Sequence, residues 1–287
     1  MSELLWLNGE TTSLSDAKLN VEDRGFQFAD GVYEVIRLYD GKPFTLREHL
    51  ERLERSARGI ELHVPTDLQI LARDIRQFIP KTGVAEGMIY LQLSRGVSPR
   101  NHVFPEPGTS RPTLLFYARP LAPLSAPGKG EGAKLWPVVD ERWKRCWVKS
   151  IALLANVLAK NAAVSRGYDE AAFVEDGFVS ECSASNVHVV KHHTLITAPP
   201  GPKVLGGITR DVLLKCAVDV QIKVEQRLPS EAEVLSADEV FITSTTREIS
   251  FATHWGERVI GSGKCGEATL ALHRAMRERI RSDLESV

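Results

Sequence analysis

One lysine of the sequence lies in an unusual setting. The segment RCWVKSIALLANVLAK, residues 145–160, places Lys149 between a Cys-Trp-Val triplet and a long apolar run. An amine that loses hydration has a lowered pKa, and such an amine is reactive at neutral pH. The alternative is that Lys149 merely ends a strand and extends its amine to the surface. This stretch taken by itself does not decide between a reactive and a structural lysine.

Two segments are suited to binding an anion. In LGGITRDV, two glycines precede Thr209 where a helix is expected to begin, and the N-terminal amides of a helix attract negative charge. In FITSTTREI, a predicted strand runs into a turn that carries Ser244, Thr245 and Thr246. Their hydroxyls and amides could converge on one oxyanion. The alternative is an ordinary helix cap and a polar loop.

A third segment, SRGVSPRNHVFP, pairs a guanidinium with an imidazole. Arg100 and His102 are two residues apart between Pro99 and Pro105, which favour an extended chain. Side chains two apart on an extended chain point to the same side. The pair could therefore bind a carboxylate, with arginine contributing two parallel hydrogen bonds. A solvated basic loop is the alternative.

Three further side chains have both a chemical and a structural interpretation. Glu181, in GFVSECSASNV, could accept a hydrogen bond from a protonated ring nitrogen or be a surface charge. Arg52 lies beside the apolar stripe of a predicted helix, where most arginines form only surface ion pairs. Tyr33, in ADGVYEV, could be a plain strand aromatic.

Composition limits the class of protein. The 287 residues are 43% hydrophobic and 25% charged, with a formal net charge of −1. These are the proportions of a globular protein, and they do not suggest a nucleic-acid partner or a membrane protein. The beginning, MSELLWLNGETT, lacks a signal-peptide pattern, and the four cysteines form no CxxC pair or metal-ligand spacing. We therefore expect a cytoplasmic protein with free thiols and no structural metal.

The pattern of elements predicts two α/β units. Hairpins are expected at Asn8-Gly9, Asp40-Gly41 and Asp176-Gly177, and near His192-His193. Helices are expected over TLREHLERLERSARGI and over residues 151–166, the latter with a buried stripe that includes Leu154 and Leu158. The Pro- and Gly-rich residues 119–132 indicate a linker, which separates domain 1–118 from domain 133–287. So many hairpins argue against a doubly wound parallel sheet.

Seven motifs occur in an order that resembles the class IV aminotransferases, which are fold-type IV enzymes that use pyridoxal 5′-phosphate. These motifs are EDRGFQFADGVYEV, FTLREHLERLERSA, SRGVSPRNHVFP, RCWVKS, SECSASNV, GGITRDV and TSTTREI. Together they span nearly the whole chain, and within the family they are most similar to those of D-amino acid aminotransferases. The resemblance implies a smaller N-terminal α/β domain, a larger C-terminal domain with a β-barrel-like sheet, and a homodimer.

The resemblance also implies roles for the singled-out residues. Lys149 corresponds to the lysine that holds the cofactor as a Schiff base and moves the substrate proton, and Glu181 to the carboxylate opposite the pyridine nitrogen. The residues that correspond to the phosphate site are Arg52, Ile208, Thr209, Ser244 and Thr245. Those that correspond to the substrate carboxylate site are Tyr33, Arg100 and His102.

The implied reaction is the transamination of D-alanine, D-glutamate or D-aspartate with 2-oxoglutarate or pyruvate, through a pyridoxamine phosphate form of the cofactor. A branched-chain L-amino acid aminotransferase would share Lys149, Glu181 and the phosphate site, and an aminodeoxychorismate lyase has the same fold. A non-catalytic binding protein is a further alternative, which the intact lysine and glutamate disfavour. Four positions depart from the residues usual in the D-specific enzymes, namely Trp147, Cys182, Ala184 and Arg247.

Overall fold

The chain folds into two compact units. The structure is a computed structural model that describes residues 3–285. The first unit runs to Pro123 and includes the short segment Val148–Ala152, and the second comprises Leu124–Trp147 and the chain from Leu153 onward. The change from one unit to the other after Pro123 falls inside the predicted linker, whereas the segment that carries Lys149 belongs to the first unit. The domain limits 1–118 and 133–287 stay predictions.

In the described part of the first unit, a six-stranded antiparallel sheet is accompanied by three helices. Its strands have the order β2-β1-β6-β5-β3-β4, and every neighbouring pair is antiparallel. The elements are β1 (Leu4–Leu7), β2 (Glu10–Ser13), α1 (Arg24–Phe28), β3 (Gly31–Tyr39), β4 (Lys42–Pro43), α2 (Leu46–Gly59), α3 (Leu68–Thr82), β5 (Gly87–Ser94) and β6 (Thr113–Pro120).

The helix α2 provides much of the core of this unit. Its predicted apolar stripe is buried, and the members of that stripe are Leu46, Leu50, Leu53 and Ala57. They pack with apolar side chains of β3, including Val32 and Ile36, and with Leu71 and Phe78 of α3. The repeat of apolar residues every three or four positions thus places one face of α2 on the sheet. The same repeat determines which of the remaining side chains of α2 lie close to β3.

The second unit contains a nine-stranded mixed sheet. The elements are β7 (Ala133–Val139), α4 (Leu154–Val164), β8 (Glu170–Glu175), β9 (Phe178–Cys182), β10 (Asn186–Lys191), β11 (Thr194–Thr197), α5 (Ile208–Asp219), β12 (Lys223–Gln226), α6 (Glu231–Leu235), β13 (Glu239–Ser244), β14 (Glu248–Trp255), β15 (Arg258–Val259) and α7 (Glu267–Glu285). Eight strands follow the order β12-β11-β10-β13-β14-β7-β8-β9, and β15 pairs with β14.

Parallel and antiparallel pairs alternate in blocks across this sheet. The pairs β11–β12, β14–β7 and β7–β8 are parallel, and the remaining neighbours for which a register is defined are antiparallel. The sheet curls as a half-barrel. The prediction of an α/β fold that is not a doubly wound parallel sheet is confirmed.

The predicted tight turns are all present. Asn8-Gly9 joins β1 to β2 with φ values of 49° and 103°. Asp40-Gly41, Asp176-Gly177 and His192-His193 join their strand pairs with positive φ as well. Two consecutive residues with positive φ match the right-handed twist of a hairpin, which explains the preference for Asn, Asp and Gly there.

One prediction about packing is wrong. A helix is present in the expected region, at Leu154–Val164, but Ala163 is the only buried residue that its described part contains. Leu154 and Leu158, expected to be buried, are 71% and 60% exposed. Periodicity identifies the apolar face of a helix but not the surface that covers it, and this face is uncovered in a single chain. Among the described residues, no helix has the length and apolarity required to cross a membrane.

Candidate active site

The backbone of Lys149 is anchored beside the first residues of β3. Its carbonyl accepts a hydrogen bond of 3.0 Å from the amide of Tyr33, and its amide donates to the hydroxyl of Ser56 at 3.1 Å. Ser150 forms an isolated antiparallel bridge with Val32. These contacts hold the lysine from both sides of its Cα atom. β3 and α2 therefore fix the backbone position from which the lysine side chain extends.

The amine of Lys149 lies over an aromatic ring. Its Nζ atom is 4.2 Å from the centroid of the Tyr33 ring, which is stacked in turn on Tyr90. The amine is also close to a buried ionic cluster, in which burial lowers the pKa of His49 and the charge of Lys149 adds to that effect. Tyr33, proposed from sequence as a substrate contact, is thus a direct neighbour of Lys149.

That ionic cluster is formed by Glu34, His49 and Arg52. The Nε and Nη2 atoms of Arg52 donate to the two oxygens of Glu34 at 2.7 Å each, and Nδ1 of His49 lies 2.7 Å from Oε2. Burial would raise the pKa of Glu34, but the charge and hydrogen bonds of Arg52 lower it from 4.5 to about 2. Burial lowers the pKa of His49 despite the neighbouring carboxylate. Arg52 therefore belongs to a buried ion pair, not to the surface pair that is usual for a helix arginine.

Arg100 and His102 are brought together on another ring. The guanidinium of Arg100 lies 4.5 Å from the ring centroid of Phe28, and the imidazole of His102 lies 5.4 Å from the same centroid. Both side chains are exposed. The two side chains therefore lie against the same ring, although their segment bends at both residues and is not extended. Tyr33, the third member of the predicted trio, instead contacts Lys149.

In the second unit, the carboxylate of Glu181 is held by three donors. Arg142 donates to Oε1, while the side-chain amide of Asn186 and the backbone amide of Leu205 donate to Oε2 at 3.2 and 2.9 Å. The Glu181 side chain is only 8% exposed. A buried carboxylate that receives this many hydrogen bonds is stabilised in its ionised form. It is an acid with a fixed orientation, not a surface charge.

Asn186 connects Glu181 to the predicted anion site. Its amide nitrogen also donates to the carbonyl of Leu205 at 2.9 Å. Its Oδ1 atom lies so close to Gly207 that a Cβ atom added there would be 2.1 Å away. Asn186 is paired in the sheet with Thr243, which directly precedes Ser244. Glu181, the beginning of α5 and the end of β13 are therefore neighbours.

The beginning of α5 has the features of an anion site. Gly207 is the N-cap residue of α5 and makes no side-chain hydrogen bond to the first turn. That turn begins with Ile208 and Thr209. Helices of this kind present amide groups and the positive end of the helix dipole to an anion. Ser244 and Thr245 are half-buried at the end of β13, on which α5 packs.

Sequence reasoning missed Asp140, Arg142 and Asn186. Arg142 is separated from Glu181 by 39 positions, so no local spacing marks the pair. The one available signal was the acid-x-Arg order in VVDERW directly after β7, which is a common surface pattern. Of the positions that depart from the usual residues, Cys182 is buried, and burial raises the pKa of its thiol well above the ordinary value. Trp147 is 40% exposed.

Comparisons with known proteins place this geometry in context. The family model for amino-transferase class IV matches residues 31–255. The D-alanine aminotransferase of Listeria monocytogenes is 40% identical over 275 residues, which cover 96% of this chain and 95% of that protein. The D-alanine aminotransferase of Staphylococcus epidermidis is 38% identical over 281 residues, which cover 97% of this chain and 98% of its own.

A solved structure is also similar. The branched-chain aminotransferase of the thermophilic archaeon Thermoproteus uzoniensis, solved with norvaline, matches with a TM-score of 0.85 and 27% sequence identity. The match covers 100% of this chain and 97% of that one. The similarity in structure extends through both units.

Proposed function

Since this chain belongs to the class IV aminotransferases, we propose that it transfers the amino group of a D-amino acid to a 2-oxo acid, with pyridoxal 5′-phosphate as cofactor. The observation that carries the proposal is the similarity to D-alanine aminotransferases, at 36–40% identity over nearly the full length of both chains. We expect D-alanine, D-glutamate or D-aspartate as donors and pyruvate or 2-oxoglutarate as acceptors.

The donor set of the second unit fits the cofactor. The cofactor has an anionic phosphate and a basic pyridine nitrogen, so it requires hydrogen-bond donors and a carboxylate at two separate places. The amides at the beginning of α5 and the hydroxyls of Ser244 and Thr245 provide the donors, and Glu181 is the ionised acceptor. Asn186 joins the two places. Ile208, Thr209, Ser244 and Thr245 are accordingly the residues of the second unit proposed to hold the phosphate. Arg52, which lies in the first unit and is paired with Glu34, is proposed for the same role on the family resemblance alone.

The bound cofactor supplies an electron sink that stabilises the negative charge left when the Cα–H bond of the substrate breaks. Lys149 would bind the cofactor covalently until the substrate amine replaces it, and the freed Nζ would then accept the Cα proton. The backbone of Lys149 is hydrogen-bonded to Tyr33 and Ser56, and its Nζ atom lies next to the Tyr33 ring. Glu181 keeps a proton on the ring nitrogen, which makes the ring a stronger acceptor of electrons.

Tyr33, Arg100 and His102 are proposed to hold the substrate α-carboxylate. Arg100 and His102 both lie against the ring of Phe28 and provide a bidentate guanidinium and an imidazole. The phenol of Tyr33 belongs to a residue that already contacts Lys149. The side on which the carboxylate is held determines which enantiomer directs its Cα–H bond to Nζ.

A branched-chain L-amino acid aminotransferase is the second candidate. It is supported by the structural match to a branched-chain aminotransferase at 27% identity. The D-alanine aminotransferases are more similar in sequence, which favours D-amino acids.

Two further features are part of the proposal. The exposed apolar face of α4, with Leu154, Val157 and Leu158, supports a homodimer, because a face of this kind is stable in water when a second copy covers it. A cytoplasmic location is supported by four free cysteines, of which Cys146, Cys182 and Cys216 are buried. Light scattering after gel filtration measures the mass of the particle and tests the dimer.

A half-reaction screen tests the function. The protein loaded with pyridoxal 5′-phosphate is mixed with single D- or L-amino acids, and the loss of visible cofactor absorbance is followed with time. We expect D-alanine to react and to yield pyruvate. A faster reaction with L-leucine or L-glutamate than with every D-amino acid would overturn the proposal in favour of the branched-chain activity.

A further inference from the structure

Glu181 is one part of a larger buried cluster. The guanidinium of Arg142 donates to Glu181 and also forms a fork with Asp140, through Nε to Oδ1 and Nη2 to Oδ2 at 2.9 Å each. The Nη2 atom further contacts the hydroxyl of Ser180 at 3.2 Å and the carbonyl of Lys203 at 2.9 Å. The side chains of Asp140 and Arg142 are 2% and 3% exposed.

The guanidinium of Arg142 packs against an aromatic ring, in addition to the hydrogen bonds that its N–H groups donate. Its central carbon lies 4.0 Å from the centroid of the Phe173 ring. Arginine stacked on a ring and saturated with acceptors has one orientation only. The oxygen of Glu181 that it contacts is therefore fixed too, and the other oxygen is held by Asn186 and Leu205.

The charges of the cluster do not cancel. Two carboxylates and one guanidinium give −2 + 1 = −1 for Asp140, Arg142 and Glu181. Two neighbouring groups leave this sum unchanged, because the amine of Lys203 is paired with Glu175 and burial raises the pKa of the Cys146 thiol to about 11. Burial would raise the pKa of Asp140, but its hydrogen bonds to Arg142 lower it, so this carboxylate is ionised at neutral pH. Without Asp140, the cation of Arg142 would neutralise Glu181. A basic ring nitrogen next to a neutral pair gains little from the pair when it becomes protonated.

We propose that Asp140 and Arg142 are positioning residues for protonation of the cofactor. Arg142 holds Glu181 as an oriented carboxylate that does not take the proton itself. Asp140 offsets the charge of Arg142, so that the ring nitrogen meets a cluster with a net charge of −1. This inference rests on the proposed function, in which Glu181 faces the pyridine nitrogen, and it concerns two residues for which the sequence provided no role.

The test measures the protonation of the ring nitrogen directly. The protein is loaded with pyridoxal 5′-phosphate labelled with ¹⁵N in the ring, and the ¹⁵N chemical shift is followed as a function of pH. We compare the parent, Asp140→Asn, and Asp140→Asn combined with Arg142→Met. The control is Asp219→Asn, which removes a carboxylate from another arginine fork of the same unit, that of Arg279. Circular dichroism of each cofactor-free protein checks that it is folded.

The charge count makes a prediction for each protein. In Asp140→Asn the net charge of the cluster becomes zero, and the ring nitrogen loses its proton at a pH lower by about one unit or more. In the double variant, Glu181 is the one charged residue left of the three in the cluster, so the net charge is again −1. The pH at which the ring nitrogen loses half of its protons then returns toward that of the parent. The Asp219→Asn control matches the parent. An unchanged midpoint in Asp140→Asn, or a double variant that stays as low as Asp140→Asn, overturns the inference.

The parent provides a test that needs no variant. Its ring nitrogen is expected to remain protonated from about pH 6 to about pH 9, and a transition inside this range contradicts the role of the cluster even where Asp140→Asn does not fold. A parent that binds no pyridoxal 5′-phosphate contradicts the proposed function instead. A parent that binds it, with a titration that Asp140→Asn does not alter, contradicts only the inference about Asp140 and Arg142.

Discussion

The carboxylate of Glu34 and the guanidinium of Arg52 form two parallel hydrogen bonds of 2.7 Å inside the first unit. Glu34 is fully buried and Arg52 is 5% exposed. Glu34 directly follows Tyr33 on β3, and the charge of Lys149 acts on His49, the third member of the cluster. The pair thus joins α2 to the strand that positions the lysine. This arrangement predicts a measurable contribution to stability.

We expect Glu34→Gln to lower the free energy of unfolding at neutral pH by about 3 kcal/mol, because it leaves a buried guanidinium without its counter-ion. The folded-state pKa of Glu34 is lowered from 4.5 to about 2. Its contribution is therefore complete above pH 4.5 and is lost as the pH falls toward 2. Urea unfolding at several pH values should show the parent and the variant converging below pH 4.5. Glu51→Gln, at an exposed position of α2, is the control, and an equal loss in both variants would contradict the prediction.

Lys149→Ala should abolish turnover. The variant loses the covalent attachment and the base together, so the expected loss in kcat is at least about 10²–10⁴-fold. Borohydride reduction of the loaded parent followed by peptide mapping should place the cofactor on Lys149. Lys144→Ala, which removes an exposed lysine five residues earlier, should retain activity. A cofactor attached to another lysine would refute the assignment.

Arg100→Ala should reduce kcat/KM for D-amino acids by about tenfold or more, since hydrogen bonds to a charged group contribute about 1.5–3 kcal/mol. The loss should be smaller for an amine that lacks a carboxylate, because the proposed partner of Arg100 is then absent. Steady-state kinetics with both kinds of substrate measure the difference. Arg111→Ala, also at an exposed position, is the control. Equal losses for the two kinds of substrate would show that Arg100 does not bind the carboxylate.

Local patterns predicted the elements of the fold better than the partners of its side chains. The hairpin at Asn8-Gly9 and the buried stripe of α2 depend on residues within a few positions of one another, and both are confirmed. The stripe of α4 is exposed because its burial depends on a surface that periodicity does not specify.

The same distinction holds in the candidate site. Lys149 was singled out by its apolar neighbours, whereas Glu181 by itself could equally be a surface charge, and it was the order of the seven motifs that assigned roles to both. Arg142 and Asn186 contact Glu181 only after β7, β9 and β10 have folded, and the ion pair of Arg52 depends on β3. A side chain whose environment is formed by distant strands has no signature in its own segment, which is why Arg52 resembled a surface residue.

Gly207 provides the last prediction, because it links Glu181 to the proposed phosphate site through Asn186. Its backbone has φ −70° and ψ 130°, which alanine adopts without strain. An effect of Gly207→Ala therefore comes from the room that the added Cβ atom requires. The new Cβ atom would lie 2.1 Å from Oδ1 of Asn186, and this amide also donates to Glu181 and to Leu205. The amide or the beginning of α5 must then move.

We expect the affinity of Gly207→Ala for pyridoxal 5′-phosphate to fall by about tenfold or more, since displacement costs roughly 1–3 kcal/mol in a packed site. Equilibrium dialysis against the cofactor measures the affinity. Gly201→Ala is the matched control, because the nearest atom to its added Cβ is the carbonyl oxygen of Pro199 at 4.0 Å. Unchanged affinity in Gly207→Ala, with a lowered melting temperature, would mean that Asn186 and the beginning of α5 stabilise the second unit without contributing to the cofactor site.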